Sequence, residues 1–572
     1  MKRACTLCAC LLAIGLAFRI APGAGQDATS SDDDPVLRAL ADELTRSVTG
    51  LCKQGEPLRR ASYRATQRWW VSASASLGAL YDSTVDRSHR LDLDLRLGDP
   101  KQDPTLESGD LGGYRGSEEL PLEPDYALVR RLAWLATDDA YRDGSRSIAE
   151  QRVQRRTQIE ASEPATWSDE PASTRLAPVS VPEIEARTAR ANAQLPELVR
   201  RLSRVLRERA EIRQSGAVAG YHALVRRFVT TDGMRIRDQS EMVRVEVELE
   251  TQATDGSVLG TTVTAMARSL DGLASVDALE QKVKQSADAL VELRAAPVAE
   301  PYVGPVLFEQ DAGPQLAALV LASAFDGTPL PPELSRMSSA GGAVLADQLG
   351  QRILPKGMKI VDDPTLDKLD KQELFGRYEV DDDGVVAQRV ELVNDGVLQG
   401  LLMSRRVRKQ IAHSNGHARL GGVAPSNFLV SSNAGHDDKT LRKELLSEAR
   451  KRGLSHAYIV RQFVSDRLGL EAIARSGRMG RERALPVFEI WEIKLSGEMR
   501  RVRNAIVAGV GLSRLRSALA VGREANVIAL GSSSGQGASI ASPAWLLGDV
   551  EIRRLEPGGE KPPELPNPLR AP

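Results

Sequence analysis

Cysteine is scarce in this chain of 572 residues, which contains four of them. Cys5, Cys8 and Cys10 lie in an N-terminal segment that we interpret below as an export signal, so removal of that segment leaves Cys52 alone. A single thiol forms no internal disulfide and cannot build a thiolate metal site by itself. The sequence therefore excludes a disulfide-stabilised fold for the processed chain.

The chain also lacks an excess of charge of either sign. Lysine and arginine number 76, against 77 aspartates and glutamates. Proteins that bind a polyanion usually carry a basic surplus, so we expect no nucleic-acid partner. A Gly-x4-Gly-Lys-Ser phosphate loop is missing as well, and Gly509-Val510-Gly511 lacks the third glycine of a dinucleotide fingerprint. These absences argue against a nucleotide-binding enzyme.

The N-terminus has the three-part pattern of a secretory signal. Lys2 and Arg3 are followed by an apolar core at 9–18 and by small residues at 21–25. This core is about half the ~20 residues that a membrane-spanning helix needs, and no later segment is apolar enough to span. We therefore expect a signal peptide at 1–25, export to the periplasm or the medium, and no stable membrane span.

The first half of the remaining chain mixes helix and strand patterns. Residues 36–51 and 276–293 have apolar side chains at helical spacing. Apolar and polar residues alternate at 91–97 and at 243–249, which is typical of half-buried strands. Asp255-Gly256 predicts a hairpin turn after the second of these.

Two segments interrupt this half of the chain. Residues 98–124 are rich in glycine, proline and aspartate, and residues 160–182 are rich in serine, proline and threonine, so both are predicted to be loop insertions. An amphipathic helix is predicted to begin at Pro196, because proline is tolerated in a first helical turn.

Strand patterns dominate beyond Ala295-Ala296-Pro297. Two helices are predicted among them, at 315–325 and at 441–452, the second ended by Gly453. The predicted fold class is α+β, with a mixed α/β N-terminal domain followed by a mainly β C-terminal domain. The predicted division is a flexible lead at 26–35, an N-terminal domain at 36–294, a C-terminal domain at 300–557 and a proline-rich tail at 558–572.

Three groups of polar residues are candidates for chemistry in the C-terminal half. His413 and His417 have a spacing that would suit a metal on a helix, but the intervening Ser-Asn-Gly predicts a loop with two solvated histidines. The run Asp381 to Gly384 lacks the ligand spacing of a calcium loop and predicts a tight turn between strands. A basic group is interpreted as a solvated face: Arg405, Arg406, Arg408, Lys409 and Arg419.

Consecutive sequence blocks of this half resemble the TldD/PmbA family in order and spacing. The blocks are Gly304-Pro305-Val306-Leu307-Phe308-Glu309, Leu349-Gly350-Gln351-Arg352, Ile360-Val361-Asp362-Asp363-Pro364-Thr365-Leu366, Asp383-Gly384-Val385, Asn394-Asp395-Gly396-Val397-Leu398-Gln399-Gly400, Ser414-Asn415-Gly416-His417-Ala418-Arg419 and Pro425-Ser426-Asn427-Phe428-Leu429. The resemblance implies a two-domain protein that is usually paired with a sister subunit, one of the two being a zinc peptidase.

In the TldD-type subunit, as the resemblance implies, zinc is held by the histidines of His-Glu-x-x-x-His and a later cysteine, and the glutamate is the general base. Here Phe308 and Gly313 occupy the histidine positions, only Glu309 matches, and Gly531 stands where the cysteine is expected. These residues offer no metal ligand, so no cofactor is expected, with zinc confined to a partner. Glu309 is expected to be a partly exposed structural residue ahead of a helix that Asp311 could cap.

Three functional hypotheses remain open. The preferred one is an exported, catalytically inactive family member of the PmbA type that binds peptide or unfolded polypeptide, or completes a zinc-bearing TldD-like partner or a homodimer. The second is an active metallopeptidase with a metal site rebuilt around His413 and His417. The third is a non-enzymatic envelope protein that has a structural or interaction role.

Overall fold

The computed structural model describes residues 34–51, 56–98, 114–123, 125–154, 166–329, 345–464, 484–532 and 536–555. The predicted signal peptide at 1–25, most of the flexible lead at 26–35, Cys52 and the predicted tail at 558–572 lie outside these ranges. None of the helices within them is long and apolar enough to cross a membrane.

The first half is built on a long sheet of seven strands within the described ranges, in the order β3-β2-β1-β6-β7-β5, with β8 also paired to β7. Its strand pairs are antiparallel, apart from the parallel pair of β5 with β7. The strands are β1 (Leu58–Ser76), β2 (Ala79–Leu97), β3 (Tyr114–Glu119), β5 (Thr174–Leu176), β6 (Ile212–Thr230), β7 (Arg235–Gln252) and β8 (Val258–Ala267), while β4 (Thr166–Trp167) lies apart from this sheet. Leu77 and Gly78 both have positive φ between β1 and β2, as a tight hairpin turn requires.

Where the structure describes the chain, four α-helices cover one face of this sheet: α1 (Pro35–Leu51), α2 (Tyr126–Gln154), α3 (Val181–Arg204) and α4 (Val276–Leu293). The alternation predicted at 91–97 and 243–249 is confirmed, because the apolar residues of both segments are buried beneath these helices. Helices α1 and α2 pack over one end of the strands, and α3 and α4 pack over the other end. The predicted helices at 36–51 and 276–293 are confirmed.

Three local predictions in this half were wrong. The segment 98–124 contains β3, which pairs with the preceding strand β2, and the segment 160–182 contains β4 and β5, whose partners β15 and β7 lie much further along the chain. Helix α3 begins at Val181 with Pro182 in its first turn, so Pro196 lies inside the helix. An interior proline gives up one backbone hydrogen bond, which the buried apolar face of α3 outweighs.

The second half contains an eleven-stranded mixed sheet within the described ranges, in the order β14-β13-β10-β18-β24-β22-β20-β19-β9, with β21 and β23 attached to β20 and β24. The strands of this sheet are β9 (Tyr302–Phe308), β10 (Met358–Asp362), β13 (Val390–Asn394), β14 (Val397–Leu398), β18 (Asn427–Ser432), β19 (His456–Phe463), β20 (Leu485–Lys494), β21 (Met499–Val502), β22 (Ala505–Ala508), β23 (Ala520–Gly531) and β24 (Gly537–Arg554). The described part of this half also includes five two-residue strands outside the sheet: β11 (Lys368–Leu369), β12 (Gln372–Glu373), β15 (Arg406–Val407), β16 (Ala418–Arg419) and β17 (Gly422–Val423).

Helices are few and short among the described residues of this half. They are α5 (Ala312–Leu316), which continues as a π turn and a 3-10 turn to Phe325, α6 (Asp438–Lys451) and α7 (Leu512–Arg516). Asp437 caps α6 by accepting the Thr440 N–H at 2.7 Å, and Gly453 takes the positive φ predicted for a helix end. The α+β fold class with a mainly β second half is confirmed.

The second half packs against the face of the first sheet that the helices leave open. Arg60 and Arg64 of β1 point to this face, opposite to Ala61 and Tyr63 in the helix-covered core. Strand β4 crosses over and pairs with β15, so that Trp167 lies beside Arg406. The polar side of the first sheet is therefore an interface between the two halves.

Candidate functional site

Glu309 follows β9 and is buried, with 4% of its surface exposed. Its carboxylate accepts hydrogen bonds from Arg442 of α6, at 3.0–3.3 Å, and from Arg461 of β19, at 2.8 Å. The prediction of a partly exposed residue was wrong, because these two arginines lie 133 and 152 residues further along the chain. Four hydrogen bonds leave this carboxylate poorly placed to take a proton from water.

The residues that flank Glu309 serve packing. Phe308 is fully buried and stacks on Phe463 with ring centroids 6.0 Å apart. At Gly313 a β-carbon would lie 2.6 Å from the carbonyl oxygen of Pro543, so α5 sits directly on β24 and leaves no room for a side chain. Asp311 does not cap α5 as predicted; it has helical φ and ψ, and its side chain makes no capping hydrogen bond.

The two candidate histidines are in different environments. His413 has 78% of its side chain exposed, as predicted for a solvated loop. His417 is fully buried, so the same prediction was wrong for it. Its Nδ1 lies 3.0 Å from Asn415, and its Nε2 lies 3.1 Å from Asp362 Oδ1, so both ring nitrogens have partners. Neither nitrogen is free to bind a metal ion.

Asp362, His417 and Ser426 have the residue types of a serine hydrolase, but not its arrangement. Both Ser426 Oγ and His417 Nε2 contact the same carboxylate oxygen, Asp362 Oδ1, and all three side chains are fully buried. A nucleophilic serine needs the histidine as its own base and an open path to substrate. This trio instead joins β10 to the start of β18 and to the loop before β16.

The basic group interpreted as a solvated face is mostly buried, and that prediction was wrong for every member except Lys409, which is exposed. Arg405 donates to Asp232 and to the Ser168 carbonyl oxygen, at 2.9–3.0 Å, and lies 5.2 Å from the Trp167 ring. Arg60, from β1, also pairs with Asp232, at 3.3 Å. Arg405 is therefore buried against the first half of the chain, which local sequence cannot reveal.

Asp232 lies in the turn between β6 and β7 and compensates this buried positive charge. Burial by itself would raise its pKa, but Arg60 and Arg405 outweigh burial and lower the pKa of Asp232 to about 2. The carboxylate therefore holds two arginines from different halves of the protein together.

The predicted turn at Asp381 to Gly384 is confirmed. Asp381 Oδ1 accepts the backbone N–H groups of Asp383 and Val385, at 2.9 and 2.8 Å, and Gly384 has a φ of 87°. The tip of this turn reaches the first half of the chain, where Arg226 donates to the Asp381 carbonyl oxygen at 2.9 Å. The turn is thus part of the interface between the halves.

A polar cavity of about 230 Å³ lies within this interface. The first half contributes residues from β1, β2 and β3 together with Trp167 and Phe228. The second half contributes the turn tip at Asp382 and Asp383 and residues near β15 to β17.

Comparison with known proteins assigns the second half to a family. Residues 301–554 match the family described as PmbA/TldA metallopeptidase C-terminal domain. Residues 301–554 therefore form a domain of the TldD/PmbA type.

Two relatives described as metalloproteases match shorter stretches of the chain. One, from Archaeoglobus fulgidus, is 34% identical over 110 residues, which cover 19% of this chain and 24% of that protein. The other, from Methanothermobacter thermautotrophicus, is 39% identical over 80 residues, which cover 14% of this chain and 16% of that protein. The chain thus matches about a quarter or less of the length of these relatives.

The fold as a whole resembles a solved TldD/PmbA-type structure. TldE from Thermococcus kodakarensis superposes with a TM-score of 0.58 over 90% of this chain and 99% of that chain, at 14% sequence identity. The likeness therefore covers both halves of the protein and supports the α+β fold class.

The zinc site implied by the TldD/PmbA resemblance does not fit the residues present. Phe308 and Gly313 are packed in the core, Glu309 is bound by two arginines, and a β-carbon at Gly531 would lie 3.4 Å from the guanidinium of Arg244. In the part of the chain that the structure describes, no group of three or more histidine, cysteine, aspartate or glutamate side chains could hold a metal ion elsewhere.

Sequence reasoning missed the charged interface. Arg60, Arg96, Trp167 and Asp232 were not singled out, although they form its centre, with Arg96 4.3 Å from the Trp167 ring. Arg60, Arg64 and Arg96 lie in alternating strand segments, where such residues usually face solvent. The signal that could have drawn attention to them is the repeated placement of arginine on the polar side of β1 and β2.

Proposed function

We propose that this chain is an exported, metal-free member of the TldD/PmbA family that does not hydrolyse peptide bonds itself. It acts as a partner subunit or as a peptide-binding protein. The observation that carries the proposal is the use of two zinc-motif positions for packing. Phe308 and Gly313 stand at the positions of the two histidines, and both are packed in the core of a TldD/PmbA-type domain. The fold likeness to TldE supports a partner-subunit role.

The second candidate, a metallopeptidase with a rebuilt site at His413 and His417, has less support. His417 would have to break its contacts with both Asn415 and Asp362 before it could bind a metal. His413 lies near Glu170, at 3.9 Å, but a site of only two such ligands would be incomplete for catalytic zinc. The third candidate, a purely structural envelope protein, has no particular observation in its favour.

A co-purification experiment tests the proposal. The tagged chain should be isolated from the extracytoplasmic fraction of its native organism, and hydrolysis of denatured casein should be measured before and after removal of co-purifying proteins. We expect a His-Glu-x-x-x-His family member to co-purify and hydrolysis to depend on it.

The variants Glu309→Gln and His413→Ala discriminate between the hypotheses. Under the proposal neither variant, once its urea midpoint shows that it is folded, changes the hydrolysis given by the complex, because neither residue takes part in the chemistry. Glu309→Gln needs this check because it removes the counter-charge of Arg442 and Arg461. Hydrolysis by the isolated chain that Glu309→Gln abolishes would show that it is a peptidase using this glutamate. Loss of hydrolysis in His413→Ala would support the rebuilt metal site.

A further inference from the structure

The cavity between the two halves carries more positive than negative charge. Of the described residues that line it, six are arginines and four are aspartates, which leaves a net charge of +2. Two of these aspartates are engaged by arginines outside the cavity: Asp92 by Arg90, at 2.9 Å, and Asp382 by Arg226, at 3.4 Å. Arg60 in turn pairs with Asp232, which lies outside the lining, at 3.3 Å, so these outer contacts leave the cavity with a net positive charge.

Two of the lining arginines make no ion pair within the described residues. Arg64 donates to the Asp382 carbonyl oxygen and lies 5.2 Å from the Phe228 ring. Arg419 donates to the carbonyl oxygens of Pro425 and Gly537, at 2.8 and 2.7 Å. A guanidinium satisfied only by neutral carbonyl groups keeps its full charge available to an anion.

Arg60 adds to the positive potential at the back of the cavity. It is 7% exposed, and its Nη2 has no hydrogen-bond partner among the described residues. Burial, together with the neighbouring Arg405, lowers the pKa of Arg60, although Asp232 opposes this. The positive charge of Arg60 is therefore only partly compensated by its neighbours. An anionic ligand in the cavity would supply further negative charge.

The cavity also has an apolar side. Trp167, Phe228 and Leu93 belong to its lining. Its volume of about 230 Å³ is below the roughly 300–1,000 Å³ typical of sites for drug-sized ligands. The space therefore suits one small group with an apolar part, not an extended chain.

We propose that this cavity binds a carboxylate group that is attached to an apolar side chain, either in a free small acid or at the C-terminus of a peptide. Arginine guanidinium groups match the planar carboxylate and can bind it through paired hydrogen bonds. A monoanion is favoured over a phosphate dianion, because four aspartates line the same cavity and repel additional negative charge. This site is separate from the Glu309 position and does not depend on the partner-subunit proposal.

Isothermal titration calorimetry of the full chain with N-acetylphenylalanine tests the proposal. The matched probe is N-acetylphenylalanine amide, which has the same apolar group and no charge. We expect the acid to bind at least about tenfold more tightly than the amide, and inorganic phosphate to compete weakly. The peptide Ala-Ala-Ala-Phe with a free C-terminus distinguishes the two sources, since tighter binding of the peptide than of the small acid identifies a peptide terminus.

Variants locate the binding in this cavity. Arg64→Gln should weaken acid binding at least about tenfold, and Arg115→Gln, at an exposed lining position of β3, should weaken it about threefold. Arg131→Gln removes an exposed arginine of α2 outside the cavity and should have no effect. Should Arg64→Gln fail to fold, Arg115→Gln and Arg131→Gln still decide the question. Equal affinity for acid and amide, no binding of the acid at about 5 mM, or binding unchanged by Arg115→Gln would overturn the proposal.

Discussion

Replacing Asp232 with asparagine is expected to lower the free energy of unfolding by about 3 kcal/mol at neutral pH. The carboxylate pairs with Arg60 and Arg405, which are both buried and come from different halves of the chain. Its lowered pKa of about 2, against an ordinary value of 3.8, corresponds by itself to about 2 kcal/mol. The remaining loss arises because the asparagine leaves two guanidinium groups without a counter-charge.

The effect of Asp232→Asn should depend on pH in a defined direction. The pKa of Asp232 is lower in the folded than in the unfolded chain, so its stabilisation is fully present above about pH 4. It is lost as the pH falls towards 2, where the carboxylate becomes protonated. The difference in stability between the wild-type chain and the variant should therefore shrink between pH 4 and pH 2.

Urea unfolding followed by tryptophan fluorescence measures this difference at each pH. Asp271→Asn is the matched control, because Asp271 pairs with Arg190 at an exposed position. That variant should unfold at the same urea concentration as the wild-type chain. If Asp232→Asn behaved like this control at neutral pH, the interface between the halves would not depend on the Asp232 contacts.

Restoring both histidines of the zinc motif, by Phe308→His and Gly313→His, is expected to destabilise the chain by at least about 4 kcal/mol without creating a zinc site. Phe308→His removes the stack on Phe463 and buries a polar ring in its place. At Gly313 the β-carbon of the new side chain would lie 2.6 Å from the Pro543 carbonyl oxygen. This distance is too short, so β24 and α5 would have to move apart.

The single variants Gly313→Ala and Gly216→Ala isolate the steric part of this prediction. Gly216 lies in β6 and has no atom within 4 Å of the place that a β-carbon would take, so its replacement should change stability little. Gly313→Ala should lower the urea midpoint clearly. A double-histidine variant that folds normally and binds zinc would mean that the packing around α5 is adaptable and that the metal site is lost only through the missing ligands.

Period-two patterns in the sequence were sufficient to predict which side of the first sheet is apolar. The leucines at 91–97 and the apolar residues at 243–249 are buried under helices, as their alternation indicated. The same pattern could not predict that Arg60 and Arg96, on the opposite side of the sheet, are buried as well. Both are buried because a second domain covers that side, and this contact joins residues hundreds of positions apart.

Local reasoning failed in a similar way at His417 and Arg405. Each lies in a segment of short strands and turns, which usually indicates a solvated loop. Their burial comes from partners brought by other elements: Asp362 of β10 for His417, and Asp232 with Ser168 for Arg405. The resemblance to the family drew attention to Glu309, but only the fold brings Arg442 and Arg461 to it.

We propose that this chain, whose residues 301–554 form a TldD/PmbA-type domain, holds no catalytic zinc, and its metal content tests that proposal most directly. Inductively coupled plasma mass spectrometry should be applied to the chain after purification without added metal and separation from co-purifying proteins. We expect less than about 0.1 zinc ion per chain, because Phe308, Gly313 and Gly531 offer no ligand. About one zinc ion per chain that survives dialysis against a chelator would contradict the account.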